Sequence, residues 1–155
     1  MTPEQRAAQF AKPPLPSHAT HAVRKAVAAM AIRVNKYPLW LIVSAIKDAK
    51  YSAYLVEKPA FSTVPVTEYC IAASVTPKLF GKEVDAPWRE TFGRQTFHAS
   101  VMIGDDGKGG FSARAISASG CSKEATEPFP ELLEVARAAM EAEKLRPPPP
   151  PPPEK

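Results

Sequence analysis

At 155 residues, the chain has room for one hydrophobic core of ordinary size together with tails. An apolar content of 45% and a charged content of 23% are typical of a soluble globular domain and exclude a wholly disordered chain. A membrane-spanning helix needs roughly 18–20 apolar residues, and the longest apolar run, Leu39–Ile46, is less than half that length. The net charge of +4 is uneven, because residues 1–50 carry eight lysines and arginines against two acids. This imbalance fits an arm that meets a polyanion, a targeting segment or a solvated surface.

Prolines are concentrated at the two ends of the chain. Of 18 prolines, seven form the run Pro147–Pro153, and "KPPLPS" contains three more near the N-terminus. These segments predict a flexible arm over residues 1–17 and a proline-rich tail over residues 145–155, with a single domain over residues 18–144. A proline run favours a polyproline II rod, which either docks into the aromatic groove of an SH3-like or WW-like domain or acts as a spacer.

Two helices are predicted before the first strand. In "HAVRKAVAAMAIRVNK" the apolar residues recur at helical spacing, Ser17 or Thr20 is the N-cap, and Pro38 ends the helix. The next stretch, "LWLIVSAIKDAKYSAY", fits either a buried strand over Leu39–Val43 or a helix that reaches Tyr51. Its apolar residues share a helical face, so the helix is the favoured interpretation.

Strand patterns occupy the middle of the chain. "FSTVPVTEYCIAASV" is rich in β-branched residues, and the internal Pro65 predicts an edge strand or two short strands. "TPKLFGKEVDAPWRE" has the turn residues of an irregular connection. "QTFHASVMIG" and "GFSARAISAS" each alternate apolar and polar residues, and "GDDGKGG" between them predicts a hairpin turn. A last helix in "PELLEVARAAMEAEK" begins at Pro130 and Glu131 and ends near Lys144.

Motifs that carry chemistry are missing from the sequence. "GDDGKGG" lacks the spacing of a phosphate-binding loop and has too few oxygen ligands for a calcium loop. His18 and His21 have i, i+3 spacing, but neither a cysteine nor an acid nearby completes a metal site. Cys70 and Cys121 lack Cys-x-x-Cys spacing and are expected to be reduced thiols rather than a disulfide. The sequence therefore predicts a protein that is not an enzyme and has no cofactor or metal.

A family resemblance lies in residues 87–144, which read as strand, strand, strand, helix. The strands are "PWRETFG", "TFHASVMIG" and "GFSARAISASG", and the turn "GCSKEA" precedes the helix. This unit resembles the C-terminal part of the double-stranded-RNA-binding domain, whose full order is αβββα. In that family, lysines of the corresponding turn meet phosphates across the major groove. The resemblance implies that Lys123 contacts a phosphate and that Ser122 supports it through its hydroxyl.

The fold class predicted from these patterns is α+β. It comprises a small antiparallel sheet with a C-terminal helix, two N-terminal helices and flexible proline-rich ends. The first functional hypothesis is a non-catalytic RNA-associated protein that binds structured RNA through its backbone. The residues expected to contact RNA are Arg24, Lys25, Arg33, Lys36, Arg94, Ser122 and Lys123.

The alternative hypothesis is a structural or adaptor subunit of a larger protein assembly. Its basic arm and polyproline tail would then contact protein partners. We expect no membrane association and an intracellular location, in the cytoplasm rather than in an organelle. The sequence leaves the oligomeric state and the identity of the partner open.

Overall fold

Helices and antiparallel strands make up the described part of the chain, which confirms the predicted α+β class. The computed structural model describes residues 2–35, 42–43, 46–57, 59, 63–75, 78–79, 82–83, 96–118, 121 and 123–145. The helices are α1 (Pro3–Ala11), α2 (His21–Asn35) and α3 (Glu131–Leu145), with a 3-10 turn at Pro16–His18. The strands are β1 (Ile46–Val56), β2 (Val66–Val75), β3 (Lys78–Leu79), β4 (Lys82–Glu83), β5 (Thr96–Asp105), β6 (Phe111–Ser117) and β7 (Glu127–Pro128).

The main sheet has five antiparallel strands in the order β6-β5-β2-β1-β7. β2 is its central strand, so the expected edge position was wrong. The physical reason is that β2 begins at Val66, which leaves Pro65 just outside the strand and costs the sheet no hydrogen-bond donor. β3 and β4 pair antiparallel as a separate two-stranded sheet within the stretch expected to be an irregular connection.

The helix expected to reach Tyr51 is a second error. Ile42 and Val43 have helical backbone, but the chain is a strand from Ile46 onward, and residues 39–41 lie outside the described part. β1 pairs with the full length of β2, and this pairing overrides the local helical spacing. A register shift interrupts the ladder between Lys47 and Lys50, where Asp48 has a φ of 52°.

The β5–β6 hairpin follows the alternation in the sequence. Its core-facing residues on β5 are all fully buried: Phe97, Ala99, Val101 and Ile103. In the connecting turn, an Asp106 carboxylate oxygen accepts hydrogen bonds from the backbone N–H groups of Lys108 and Gly110. Gly107 and Gly109 have φ angles of 78° and 83°, in the left-handed region that favours glycine. The hairpin interpretation of "GDDGKGG" is confirmed.

Helices α2 and α3 pack against each other and against one face of the sheet, where the hydrophobic core lies. Thr20 caps α2, because its Oγ1 accepts the Val23 N–H at 3.2 Å. The core joins residues of both helices to the inner side of β2 and β5, and it includes Val23, Val27, Ala31, Tyr69, Ile71, Phe97, Val101, Phe129, Leu132 and Ala136. In the described residues, no helix is both long and apolar enough to cross a membrane.

The arm over residues 1–17, expected to be flexible, instead contains helix α1, which contacts the opposite, outer face of the sheet. A capping box starts α1, since Thr2 and Gln5 each accept the other's backbone N–H through their side chains. The Phe10 ring meets the Tyr54 ring edge-on, with centroids 5.0 Å apart. After α1, the Leu55 N–H donates to the Lys12 carbonyl at 3.1 Å.

Candidate functional site

Two of the residues expected to bind RNA, Arg24 and Lys25, contact carboxylates of α3. The Arg24 Nε donates to the Glu131 carboxylate at 3.1 Å, and its Nη1 donates to the Ala19 carbonyl at 2.6 Å. Lys25 lies 3.8 Å from Glu134, and both groups are about half exposed. Arg24 is therefore part of the packing between α2 and α3, whereas the Lys25 pair is a solvated contact that contributes little stability.

The Glu131 carboxylate is nearly fully buried beneath α2, and its charge survives there because of its partners. Burial is the largest single effect and raises its pKa, but the Arg24 hydrogen bond, a backbone hydrogen bond, the Arg24 charge and the His21 hydrogen bond together hold the pKa of Glu131 below its ordinary value. The same contact raises the pKa of Arg24 against the opposing effect of its own burial. The pair therefore stays ionised at neutral pH and connects the two helices.

Lys123 was expected to contact a phosphate, but its ammonium group binds the protein itself. Its Nζ donates to the Phe10 carbonyl at 2.7 Å and lies 5.8 Å from the centre of the Tyr54 ring. Because Phe10 is in the last turn of α1, Lys123 satisfies a carbonyl that has no partner within the helix. Lys123 holds α1 on the outer face.

The other predicted contact residues are divided between the surface and the undescribed part of the chain. Arg33 is exposed in the last turn of α2. Lys36, Arg94 and Ser122 lie outside the described residues. The described candidates thus do not form one surface: Arg24 and Lys25 lie near α3, Arg33 at the far end of α2, and Lys123 beside α1.

Buried Thr67, buried His18 and exposed Asp105 have the hydrogen-bond order of a nucleophile, a base and an acid. The Thr67 Oγ1 lies 2.9 Å from the His18 Nδ1, and the His18 Nε2 lies 2.9 Å from an Asp105 carboxylate oxygen. The carboxylate only accepts, so the His18 Nε2–H donates to it, and in the neutral imidazole the Nδ1 accepts from the Thr67 hydroxyl. Thr67 is 0% exposed, which prevents a substrate carbonyl from reaching its hydroxyl. The group attaches the 3-10 turn to β2 and β5.

The backbone of the same turn is held by Tyr69. Burial raises the pKa of Tyr69 to about 12, so its hydroxyl keeps its proton at neutral pH. That hydroxyl donates to the His18 carbonyl at 2.5 Å. His18 is thus fixed through both its side chain and its backbone, and His21 instead contacts α3 carboxylates. Among the described residues, the two histidines therefore contact different partners and do not form one metal site.

On the outer face of the sheet, Glu68 accepts hydrogen bonds from two neighbouring side chains. The Tyr54 hydroxyl donates to one oxygen of its carboxylate, and the Ser100 hydroxyl donates to the other at 2.8 Å. Burial raises the pKa of Tyr54, and the hydrogen bond to Glu68 raises it further. Neutral Tyr54 and Ser100 therefore act as donors to a carboxylate whose position they fix from two sides.

Beside Glu68, Cys70 and Cys121 form a disulfide, so the expectation of two reduced thiols was wrong. Their Cα atoms are 5.7 Å apart, a spacing typical of disulfides, although 51 residues separate them in sequence. The pairing was missed because it depends on how the segment after β6 returns across the sheet. That segment is also hydrogen-bonded to β1, since the Ser52 hydroxyl donates to the Glu124 carbonyl at 2.5 Å and accepts the Thr126 N–H at 3.1 Å.

A cavity of about 250 Å³ opens next to the disulfide on this face. The side chains around it are apolar, polar and charged: Cys70, Ala72, His98, Cys121, Lys123 and Glu124. Glu68, Cys70 and Cys121 are close enough to bind one metal ion, because one potential ligand atom of each lies within 4.8 Å of the others. We call these three residues the Glu68–Cys pair cluster. Sequence spacing gave no signal for it, since its members lie on one strand and on a distant segment.

Comparisons with known proteins give no relative: no protein-family model, no curated protein and no solved structure matches this chain. The resemblance to the double-stranded-RNA-binding domain therefore stays a prediction. β5, β6 and α3 form where that resemblance has its last two strands and its last helix. β2 lies beside β5 where the resemblance has residues 87–93, which lie outside the described part.

Proposed function

We propose that the chain is a non-catalytic adaptor subunit that binds a protein partner through its proline-rich tail. The observation that carries the proposal is the end of α3. Every residue of its last turn, residues 141–145, is exposed, and Leu145, the first residue of the tail, is 83% exposed. The tail therefore starts from a solvent-exposed point, at the end of a helix whose buried side anchors it to the core.

The chemistry of the tail supports the same proposal. Arg146 precedes the run Pro147–Pro153, which places a cation beside repeated Pro-x-x-Pro spacing. Proline fixes φ in advance, so such a segment loses little conformational entropy when it docks into an aromatic-lined groove. An exposed apolar side chain, Leu145, would add contact area at the N-terminal end of the bound segment.

Titration of the full-length chain against purified proline-recognition domains tests the adaptor proposal. SH3, WW and EVH1 domains are titrated in turn, and binding is followed by the tryptophan fluorescence of the domain. We expect saturable binding to at least one class, lost in a Pro148→Ala/Pro149→Ala/Pro150→Ala variant, which removes every Pro-x-x-Pro spacing of the run. An Ala138→Ser variant on the exposed face of α3 is the matched control and should bind like the wild type. Equal binding by the proline variant, or none by the wild type to any class, would refute the proposal.

Backbone binding to structured RNA is the second candidate function. It is supported by the excess of eight cations over two acids in residues 1–50 and by the exposure of Arg33. Lys25 is a second exposed cation of α2. Its 3.8 Å contact with Glu134 joins two half-exposed groups, so Lys25 can exchange this carboxylate for a phosphate at little cost. Both this function and the adaptor function are consistent with an intracellular location.

Gel-shift measurements with a duplex RNA test the second candidate. For each phosphate neutralised, the slope of log K against log salt should be about −0.7 to −0.9. Replacing both Lys25 and Arg33 by glutamate should weaken binding severalfold and flatten the slope. Arg137→Glu changes an exposed charge on α3 and is the control, with an expected smaller effect. Binding without salt dependence, or equal losses in both variants, would contradict RNA recognition by α2.

A further inference from the structure

The Glu68–Cys pair cluster combines ligand types that bind Zn²⁺ in proteins. Two thiolates and a carboxylate are favourable donors, with Zn–S distances of about 2.3 Å and Zn–O distances of about 2.0–2.2 Å. Two sulfurs on one tetrahedral zinc are therefore about 3.8 Å apart. The ligand atoms of the cluster already lie within 4.8 Å of one another, so small side-chain rotations bring them to one ion.

The backbone and the surroundings also suit a bound ion. β2 holds Glu68 and Cys70 at i and i+2, which directs both side chains to the outer face of the sheet. Tyr54 and Ser100 orient the Glu68 carboxylate, as outer hydrogen-bond donors orient metal ligands elsewhere. The adjoining cavity of about 250 Å³ gives a path for the ion and room for a water as the fourth ligand.

We propose that, when the Cys70–Cys121 disulfide is reduced, Glu68, Cys70 and Cys121 bind one Zn²⁺ ion. Reduction by a dithiol, the class of reductant that keeps intracellular thiols reduced, transfers two electrons and two protons to the disulfide. The sulfur–sulfur bond breaks, two thiols form, and the dithiol becomes a disulfide. Zn²⁺ then displaces the two thiol protons and binds both thiolates and the carboxylate.

Charge compensation near the site is consistent with this ligand set. Two thiolates and one carboxylate leave a zinc site with a net charge of −1, and Lys123 lines the same cavity. The Lys123 ammonium lies over the Tyr54 ring, whose hydroxyl in turn contacts Glu68. The ion would keep residues 121–126 attached to the sheet in a compartment where the disulfide is reduced.

Cobalt titration of the full-length protein tests the proposal. The protein is reduced with dithiothreitol, desalted without oxygen and titrated with Co²⁺, which gives thiolate charge-transfer and tetrahedral d–d absorption bands. Zn²⁺ is then added to displace the cobalt. We expect one equivalent of Co²⁺ to bind reduced protein, none to bind oxidised protein, and Zn²⁺ to abolish both bands. Circular dichroism before each titration checks that the reduced protein is folded.

Variants separate a built site from adventitious thiol binding. Cys121→Ser should abolish the bands, and Glu68→Gln should weaken Zn²⁺ binding by about 100-fold. Glutamine can accept from one of the two hydroxyls, of Tyr54 and Ser100, through its oxygen and donate to the other through its NH2 group, so this variant should keep the fold. Glu124→Gln removes another carboxylate beside the same cavity and should bind like the wild type. No bands in folded, reduced wild type would overturn the proposal, as would equal affinity in Glu68→Gln and wild type.

Discussion

The Cys70–Cys121 disulfide should be the largest single covalent contribution to the stability of this chain. It closes a loop of 51 residues. In the chain-entropy description, crosslinking a loop of this size removes about 14 cal/mol/K from the unfolded state, which is about 4 kcal/mol at 25 °C. Replacing both cysteines by alanine should therefore lower the free energy of unfolding by about 4 kcal/mol, and deletion of the buried Cys70 sulfur adds to this loss.

Urea unfolding of the oxidised wild type and of the double-alanine variant measures this difference. Both are followed by tryptophan fluorescence with a chelator present, so that no metal contributes. With an m-value of about 2 kcal/mol/M, the midpoint should fall by about 2 M urea. The m-value should rise in the variant because its unfolded chain is more expanded. A midpoint change below about 0.5 M urea with an unchanged m-value would refute the loop-entropy reasoning.

Three further predictions concern single side chains. The pKa of Glu131 is lowered in the folded state, so the contribution of its carboxylate to the free energy of unfolding is present above the unfolded pKa and is lost as pH falls through the folded pKa. Glu131→Gln should therefore flatten the acid side of the plot of unfolding free energy against pH, measured by urea unfolding. Lys123→Met should lower the free energy of unfolding by about 1–2 kcal/mol and expose α1 to limited proteolysis. Lys144→Met, at an exposed position of α3, should change neither the stability nor the proteolysis of α1. Phe97→Ala should cost about 3–5 kcal/mol in thermal unfolding, and Ile116→Ala, which is 45% exposed, less than about 0.5 kcal/mol. Equal losses for either matched pair would contradict the contacts described.

The hairpin and two of the helices were predictable because their patterns are local. Phe97 and Val101 alternate with polar residues on β5, and the glycines of the next turn permit its positive φ angles. Val23 and Val27 are spaced by one helical turn on α2, and both are fully buried. In each case, the short-range signal and the tertiary packing agree.

Strand β1 was not predictable, since its local pattern and its tertiary environment disagree. Ile46 and Ala49 have helical spacing, but pairing with β2 satisfies the backbone of the whole stretch. α1 was missed although Thr2 and Gln5 have the spacing of a capping box. The prolines that follow α1 obscured that signal.

The candidate sites were unpredictable for a topological reason. Glu68 and Cys121 become neighbours only when residues 121–126 return across β1, and no spacing rule connects them. Likewise, Lys123 has the sequence context of a phosphate contact but meets the Phe10 carbonyl, 113 residues away. A lysine in a turn is available to a ligand only where the folded chain offers its ammonium group no nearer acceptor.

The Arg24–Glu131 contact has a consequence for the order of folding. It joins residues 107 apart in sequence, whereas the β5–β6 hairpin joins neighbours across a short turn. Closing a loop costs about 0.6 kcal/mol more for each doubling of its length, so we expect the hairpin to form early and α3 to dock on α2 late. We expect substitutions in the hairpin to slow refolding, and substitutions of Arg24 or Glu131 mainly to accelerate unfolding. We therefore expect the contact between α2 and α3 to determine the unfolding rate and thus the lifetime of the folded chain.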